Sequence, residues 1–317
     1  MWPLRPGKRI LQNPIDMQQC RQLLMIRPVN FGYNAETAVN NAFQTDTGQV
    51  QEAALREFDN FVNLLRRHQV NVLVIEDSPE PFTPDSIFPN NWISFQEHAR
   101  IFLYPMFAPN RRMERKPGVL ETIKNRFRVH EIVDLSPYEN EGHFLEGTGS
   151  LVLDRDNKIA FTCHSPRTSE KVIKEFCRLS GYTAFCFHAT EQRGMPIYHT
   201  NVMMCVADHY VVICLDSITD MAERENLLTQ FRLTGKEVIP ITQDQLDHFA
   251  GNMLQVMNTD GESLLIMSSQ AYHSLNREQV TRLEKYNPIL HTPLETIESA
   301  GGGSARCMLA EVFLAPV

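Results

Sequence analysis

Residues 150–161 read SLVLDRDNKIAF, and this short stretch indicates the architecture that we expect for the whole chain. Two apolar triplets, 151–153 and 159–161, flank a polar tetrapeptide at 154–157, which is the pattern of a β-hairpin. An amphipathic helix over 169–179 and a further strand over 182–185 are predicted next. The stretch therefore predicts one ββαβ unit.

The same pattern recurs along the chain at intervals of about 50 to 60 residues. Strand-like starts are found at 92–95, 150–153, 201–204, 252–256 and 307–310, and the other predicted helices lie at 51–68, 113–127, 223–233 and 276–286. No linker rich in Pro, Gly or Ser separates the units, which favours a single domain over 1–317. We expect an α/β fold of five ββαβ units that close into a ring.

The composition is that of a folded protein with a large core. The 317 residues are 43% hydrophobic and 21% charged, and the net charge of −8 argues against nucleic-acid or anionic-membrane partners. No apolar run reaches the roughly 18 residues of a membrane span, and residues 1–6 lack the apolar core of a signal peptide. We therefore expect a cytoplasmic protein.

Cys307 is the candidate nucleophile among the seven cysteines. The cysteines form no CxxC pair and no Cys/His cluster with zinc spacing, so no metal site is predicted. Six of them lie in or beside apolar stretches, whereas Cys307 follows three glycines, 301–303, and adjoins Arg306, a cation that favours a thiolate. The alternative is that Cys307 is a small core residue after a glycine-rich turn.

Polar residues stand at the entrance of each first strand. They are Asp85 with 90–91, Glu146, His199, Asn252 and Cys307. Taken singly, Asp85 is typical of a turn, Glu146 of a loop and His199 of a core histidine. Because a ring of five units brings these entrances together, a nucleophile, a base and carboxylates are predicted to meet in one active site.

Several motifs carry a family resemblance. They are TPDSIFPNNW at 83–92, LEGTG at 145–149, SPRT at 165–168, HTN at 199–201 and the glycine triplet before Cys307. From about Arg27 onward, the chain resembles the guanidine-modifying enzymes of the pentein superfamily, and most of all their citrulline-utilisation hydrolase branch. That superfamily includes arginine deiminases, dimethylarginine dimethylaminohydrolases and amidinotransferases. The resemblance implies a five-bladed α/β propeller, the pentein fold.

The resemblance also implies catalytic roles. Cys307 would attack the planar carbon of a guanidino or ureido group and form a covalent intermediate. His199 would protonate the leaving nitrogen and then deprotonate water, while Glu146 would orient and charge-stabilise His199. Asp85 would bind the terminal nitrogens of the substrate or position His199, and both roles remain open. This chemistry requires no metal or other cofactor.

Substrate-binding residues follow from the same motifs. Arg167 matches an arginine that binds the α-carboxylate of an amino-acid substrate, and Arg111 and Arg112 match a second such element. For Arg111 the alternative is a solvated helix face. Phe88, in the Phe-Pro-Asn-Asn-Trp motif, is counted with the substrate-binding residues.

Two amides depart from the pattern of arginine-processing relatives. Asn91 and Asn201 stand where such enzymes place aspartates. Amides offer donors and acceptors without charge, so a neutral ureido group of a citrulline-like amino acid suits them better than a guanidinium. A guanidinium remains possible because Asp85 and Glu146 keep negative charge nearby.

Two other functions stay open. An amidinotransferase would form the same intermediate and differ only in using an amine, not water, to resolve it. A binding module without catalysis is the second alternative, because the pentein fold also occurs in a ribosome-binding factor. The sequence leaves the oligomeric state undetermined.

Overall fold

The computed structural model describes residues 18–317, so the prediction for residues 1–6 lies outside its range. Five three-stranded sheets carry the architecture. Their strands, in chain order, are β1 Gln22–Arg27, β2 Asn71–Glu76, β3 Ile93–Gln96, β4 Arg100–Leu103, β5 Glu131–Asp134, β6 Val152–Asp154, β7 Ile159–Cys163, β8 Thr183–Phe187, β9 Met204–Val206, β10 Tyr210–Ile213, β11 Glu237–Pro240, β12 Leu254–Met257, β13 Ser263–Ser268, β14 Ile289–Thr292 and β15 Ala310–Glu311.

Every sheet has the same pairing. In the unit that contains residues 150–161, β7 pairs antiparallel with β6 and parallel with β8, as predicted for a hairpin followed by a returning strand. The sheet ordered β15-β1-β2 joins the first and last strands of the described residues, because β15 pairs antiparallel with β1 and β2 pairs parallel with it. The α/β class and the repeated ββαβ unit are thus present in the structure.

The helices connect the second and third strands or form short turns. They are α1 Ala35–Ala38, α2 Gln51–Arg67, α3 Pro109–Arg112, α4 Pro117–Arg126, α5 Gly147–Ser150, α6 Glu170–Ser180, α7 Thr200–Met203, α8 Met221–Leu233, α9 Gln243–Asp247, α10 Ser269–Ser274, α11 Arg277–Glu284 and α12 Glu295–Gly301, with 3₁₀ turns at Pro89–Asn91, Ser136–Glu141, Leu215–Ser217 and Ala305–Met308. No helix among the described residues could span a membrane.

The helix predicted over 113–127 is wrong at its start. Lys116 has extended backbone angles, φ −69° and ψ 132°, and α4 begins only at Pro117. A residue before proline is disfavoured in the helical region, whereas proline itself fits the first helical position. A separate short helix, α3, therefore precedes α4.

Two predicted strand starts, 201–204 and 307–310, are also wrong. Residues Thr200–Met203 and Ala305–Met308 are helical turns, and the strands begin at Met204 and Ala310. Short apolar runs do not distinguish a buried helical turn from a buried strand, because both bury every side chain. Similar turns precede β3 and β6, at Pro89–Asn91 and Gly147–Ser150.

These helical turns contact one another and bring distant sequence positions together. The turn Pro89–Asn91 contacts both Ala305–Met308 and α5, and α5 contacts α7. Asn252 completes the series, because its side chain donates to Asn201 O and accepts from Arg306 N. All five strand entrances therefore meet at one place.

Apolar faces of the longer helices support this arrangement from outside. In α2, the buried residues follow the i, i+3, i+4 pattern of one face of a helix: Ala54, Phe58, Phe61, Val62 and Leu65. They pack with β1 residues such as Leu23 and Met25, in the same buried cluster as Cys307. Cys307 is thus part of a packed core.

Candidate active site

A small cavity lies where the helical turns meet. Its volume is about 10 Å³, room for about one water molecule, and its lining consists of Thr37, Asn41, Asp85, Phe88, Asn91, Arg111, Arg167, Tyr198, His199, Gly301, Gly302, Gly303 and Cys307. The structure therefore gathers the predicted residues Asp85, His199 and Cys307 at one cavity. Glu146 and Asn201 are not part of the lining but contact residues that are.

Cys307 lies on the turn Ala305–Met308 and is only 3% exposed. Its Sγ accepts hydrogen bonds from Asn252 Nδ2 at 3.3 Å and Asn201 Nδ2 at 3.6 Å. The Arg306 guanidinium instead binds Leu309 O and Glu311 Oε2, each at 2.8 Å, so it neutralises a carboxylate on β15.

The glycines before Cys307 allow close packing against Phe88. A Cβ on Gly301 would lie 2.8 Å from the Phe88 ring, and one on Gly303 would lie 3.0 Å from it. Gly302 has φ +63°, a left-handed conformation that favours glycine. Residues with a side chain would therefore clash in this wall of the cavity, which requires the three glycines.

His199 and Glu146 form a buried pair. His199 Nε2 lies 2.7 Å from Glu146 Oε2. Burial would raise the pKa of Glu146, but the charge of Arg167 and the hydrogen bond with His199 outweigh it and lower that pKa. Burial lowers the pKa of His199 to about 4, although Glu146 opposes the shift. At neutral pH, the Nε2–H group thus donates a hydrogen bond to the ionised Glu146, and Nδ1 is the nitrogen that can accept a proton.

Asp85 keeps one carboxylate oxygen unbonded. Oδ2 accepts hydrogen bonds from Asn34 Nδ2 at 2.7 Å and Thr37 Oγ1 at 3.1 Å. Oδ1 is buried and has no hydrogen-bond partner within 18–317. Burial raises the pKa of Asp85, while the charge of Arg111 and the bond from Asn34 oppose this shift. Oδ1 is therefore an acceptor available to a ligand.

Arg167 is 2% exposed and is held by the segment 37–40. Its Nε and Nη2 both donate to Asn40 Oδ1, at 2.8 and 2.5 Å, and Nη2 also donates to Thr37 O at 2.9 Å. Nη1 lies 3.4 Å from Glu146 Oε2. The guanidinium stacks on the Tyr198 ring at 4.9 Å. In this closed arrangement, Asn40 occupies the fork that a carboxylate would take.

Arg111 is buried rather than on a solvated helix face. It is 2% exposed and forms a two-point ion pair with Glu114, Nε to Oε1 at 2.8 Å and Nη2 to Oε2 at 3.0 Å. Nη2 also donates to Phe88 O, and Nη1 donates to Asn91 Oδ1 at 2.8 Å. Burial would lower the pKa of Arg111, but the carboxylates of Glu114 and Asp85 raise it.

The two asparagines present different atoms. Asn91 Nδ2 has no hydrogen-bond partner in the described part of the chain, and neither has Asn201 Oδ1. Asn91 and His199 both pack closely against Gly149. A Cβ on Gly149 would lie 2.5 Å from Asn91 Nδ2 and 2.8 Å from His199 Nδ1, so these two atoms are near each other. A donor from Asn91 and acceptors from Asn201 and Asp85 are thus left unused.

Sequence reasoning missed several contacts of the site. Asn252 was placed at an entrance, but its bond to Cys307 Sγ was not foreseen. Tyr198 OH donates to Gly302 O at 2.5 Å, and Asn41 Nδ2 donates to the same oxygen at 3.2 Å. The segment 34–41 contains no recognisable motif. Its asparagines and threonine, which can form hydrogen bonds, are the sequence signal for its place at the site. No group of three or more His, Cys, Asp or Glu among residues 18–317 is arranged to hold a metal ion.

Comparison with known proteins gives one family and one fold. A family model described as N,N dimethylarginine dimethylhydrolase, eukaryotic, matches residues 27–314. No curated protein matches the sequence. Among solved structures, ArgZ, an arginine dihydrolase from the ornithine-ammonia cycle in Cyanobacteria, is similar with a TM-score of 0.73 at 16% identity, covering 93% of this chain and 41% of ArgZ.

Two further structures match over nearly their whole length. The N-terminal domain of ArgZ, solved with its substrate, has a TM-score of 0.71 at 18% identity, covering 92% of this chain and 99% of that domain. A dimethylarginine dimethylaminohydrolase adduct with S-methyl-L-thiocitrulline has a TM-score of 0.65 at 12% identity, with coverage of 92% and 99%. The chain thus spans less than half of full-length ArgZ but the whole of its N-terminal domain.

Proposed function

Because the chain belongs to the family described as N,N dimethylarginine dimethylhydrolase, eukaryotic, we propose that it is a thiol hydrolase of a guanidino or ureido amino acid. The observation that carries this proposal is the arrangement of Cys307 Sγ, bonded to two amide donors, and the His199–Glu146 pair around one cavity. Such an arrangement of nucleophile, base and orienting carboxylate supports covalent catalysis.

The chemistry proceeds in two steps. His199 Nδ1 takes the thiol proton as Cys307 Sγ bonds to the planar carbon of the substrate. The tetrahedral adduct then breaks its C–N bond, and His199 returns the proton to the departing nitrogen. Water next gives a proton to His199 and attacks the carbon of the thiouronium-like or thiocarbamate-like intermediate. The resulting tetrahedral adduct breaks its C–S bond, and His199 returns the proton to the departing Cys307 sulfur. Glu146 stabilises the imidazolium that forms in each step.

We also propose that the five sheets are the blades of a closed five-bladed propeller. The contacts between successive strand entrances support this arrangement. The catalytic residues would then lie at the propeller axis, where turns from several units converge.

The unused polar atoms favour a ureido group. A guanidinium has only N–H donors at its terminal nitrogens, whereas a ureido group also has a carbonyl acceptor. Asn91 Nδ2 matches that acceptor, and Asp85 Oδ1 matches an N–H group; both residues line the cavity. Arg167 would bind the substrate carboxylate once Asn40 leaves its fork.

Labelling with a haloacetamidine, an electrophile that resembles a guanidinium, tests the enzymatic function. We expect adduct formation at Cys307 in preference to the other six cysteines. Labelling that is uniform or absent would favour a binding module. Turnover measured with and without an amine acceptor distinguishes a hydrolase from an amidinotransferase, because only the latter transfers the carbon to the amine.

A double substitution, Asn91→Asp with Asn201→Asp, tests the substrate class. Two acceptor-only charges strengthen binding of a guanidinium, and each charge-assisted bond contributes roughly 1.5–3 kcal/mol. We expect the kcat/KM ratio of arginine to citrulline to rise at least tenfold. An unchanged ratio in a folded variant would mean that these amides do not contact the substrate.

A further inference from the structure

We propose that Arg111 is a positioning residue that fixes the orientation of the Asn91 amide, so that the substrate meets a hydrogen-bond donor at this point of the cavity. This inference rests on the proposed function and assigns Arg111 a role other than direct contact with the substrate carboxylate. Its basis is the bond from Arg111 Nη1 to Asn91 Oδ1 at 2.8 Å, on an amide whose Nδ2 has no partner among residues 18–317.

The direction of the amide follows from donor and acceptor chemistry alone. A guanidinium carries only donors, so the atom of Asn91 that faces Arg111 must be the oxygen. Rotation of the amide by 180° would place two N–H donors against each other and lose a charge-assisted bond. The NH₂ group is consequently kept on the other side, where Nδ2 lies beside Gly149 and on the same side of it as His199 Nδ1. Asn91 and His199 both line the cavity.

Arg111 is itself held in place by contacts outside the amide. Glu114 binds Nε and Nη2, and Phe88 O accepts a further bond from Nη2. Together with the Asn91 bond, these contacts engage four of the five guanidinium N–H groups. Arg111 is therefore a rigid donor, and most of its binding capacity is already used within the protein.

The fixed amide distinguishes ureido from guanidino substrates. A ureido oxygen placed near Asn91 Nδ2 would accept its hydrogen bond. A guanidinium NH₂ at the same position would oppose one donor with another, and the locked amide could not turn to relieve this. Without Arg111, the amide can adopt both orientations, and its oxygen can accept from a guanidinium.

Four substrates separate this role from direct binding of a carboxylate. Citrulline and arginine carry an α-carboxylate, whereas N-carbamoylputrescine and agmatine are the corresponding ureido and guanidino compounds without it. We compare kcat/KM for all four in the parent and in the double variant Arg111→Met with Glu114→Met. The double variant removes both charges of the buried pair, because removal of one alone leaves the other buried and unpaired.

We expect the ureido-to-guanidino ratio of kcat/KM to fall about tenfold in the double variant, both with and without the α-carboxylate. Arg111→Lys keeps a cationic donor and should preserve the ratio. Arg112→Met is the matched control, because Arg112 lies on the same helix but donates to Met106 O and Phe107 O. In an Asn91→Ala background there is no amide to orient, so the double substitution should leave the ratio unchanged.

Opposite outcomes overturn the proposal. A loss confined to citrulline and arginine, with the ureido-to-guanidino ratio intact, would mean that Arg111 binds the carboxylate directly. If the parent turns over none of the four compounds, the proposed function fails, and the same ratios are then measured as Kd values by calorimetry in a Cys307→Ala background. No binding, or a Kd ratio that does not depend on Arg111, would then contradict the positioning role. Thermal unfolding of each variant verifies that it is folded.

Discussion

Asp85 and Asp154 are both buried, with exposures of 2% and 0%, but their surroundings differ. Both oxygens of Asp154 are engaged, by Asn157 at 2.9 and 3.0 Å and by Lys236 Nζ at 3.3 Å. Asp85 Oδ1, in contrast, is unbonded within the described residues. A buried polar atom without a partner destabilises a protein by roughly 1–3 kcal/mol. Asp154 is thus fully engaged at the hairpin end of its sheet, whereas Asp85 retains an acceptor without a partner, which agrees with the ligand-binding role proposed for it.

The largest effect that we expect is at the cavity itself. Cys307→Ser keeps the shape of the side chain but replaces a good nucleophile by a hydroxyl that stays protonated at neutral pH, so turnover should fall to near background. Cys177→Ser, on the outer helix α6, is the control and should keep turnover nearly intact. Steady-state kinetics with matched circular dichroism measures both, and an active Cys307 variant would remove the basis of the covalent mechanism.

Substitution of the two aspartates tests the comparison directly. Asp154→Asn leaves Lys236 buried without its countercharge, so the free energy of unfolding should fall by about 3–5 kcal/mol while kcat per folded molecule stays unchanged. Asp85→Asn should instead lower kcat/KM by roughly 100-fold, which corresponds to about 2.7 kcal/mol of lost substrate and transition-state binding. Its loss of stability should be smaller than that of Asp154→Asn, because Arg111, which lies 3.8 Å from Asp85 Oδ2, keeps its closer countercharge Glu114. Denaturant unfolding and kinetics of both variants are the measurements. A stability loss at Asp85 equal to that at Asp154 would make Asp85 a structural residue.

The repeated unit was predictable because its signal is local. The hairpin around 154–157 and the helix α6 lie within 37 positions of sequence, from 151 to 187, and their patterns are the ordinary ones for strands and amphipathic helices. The helical turns at Thr200–Met203 and Ala305–Met308 were not predictable, since their apolar side chains are buried in either conformation. In such short segments, the hydrophobic pattern predicts which side chains are buried but not whether the backbone is helical or extended.

The same limit applies to the site. The phase of the repeat was enough to place Asp85, His199 and Cys307 together, since it determines where each chain segment enters its sheet. It did not reveal that Arg306 turns toward Glu311 or that Arg111 is paired with Glu114. Those partners depend on side-chain directions in three dimensions, which sequence spacing does not specify. The roles of all these residues remain predictions.

The His199–Glu146 pair predicts how stability depends on pH. Burial lowers the pKa of His199 from 6.5 to about 4, so between these pH values the unfolded chain binds more protons than the folded one. The contribution of His199 to the free energy of unfolding should therefore be largest above pH 6.5 and fall by up to about 3 kcal/mol as pH decreases to 4. His199→Gln keeps a donor for Glu146 and should show a shallower decrease. Equal slopes in the two proteins, measured by denaturant unfolding from pH 7 to 4, would contradict this assignment.

The smallest effect concerns the segment that closes the cavity. Asn40 Oδ1 accepts two bonds from Arg167. In the proposed function, Arg167 binds the substrate carboxylate, which must then displace Asn40. In Asn40→Ala the fork is free, and KM should fall severalfold while kcat stays constant, because the competing group acts before chemistry. Asn30→Ala is the matched control, since Asn30 donates to Pro79 O away from the cavity. An increase in KM would instead show that Asn40 helps Arg167 to hold the substrate, and Asn40 would then belong with the residues kept for the ligand.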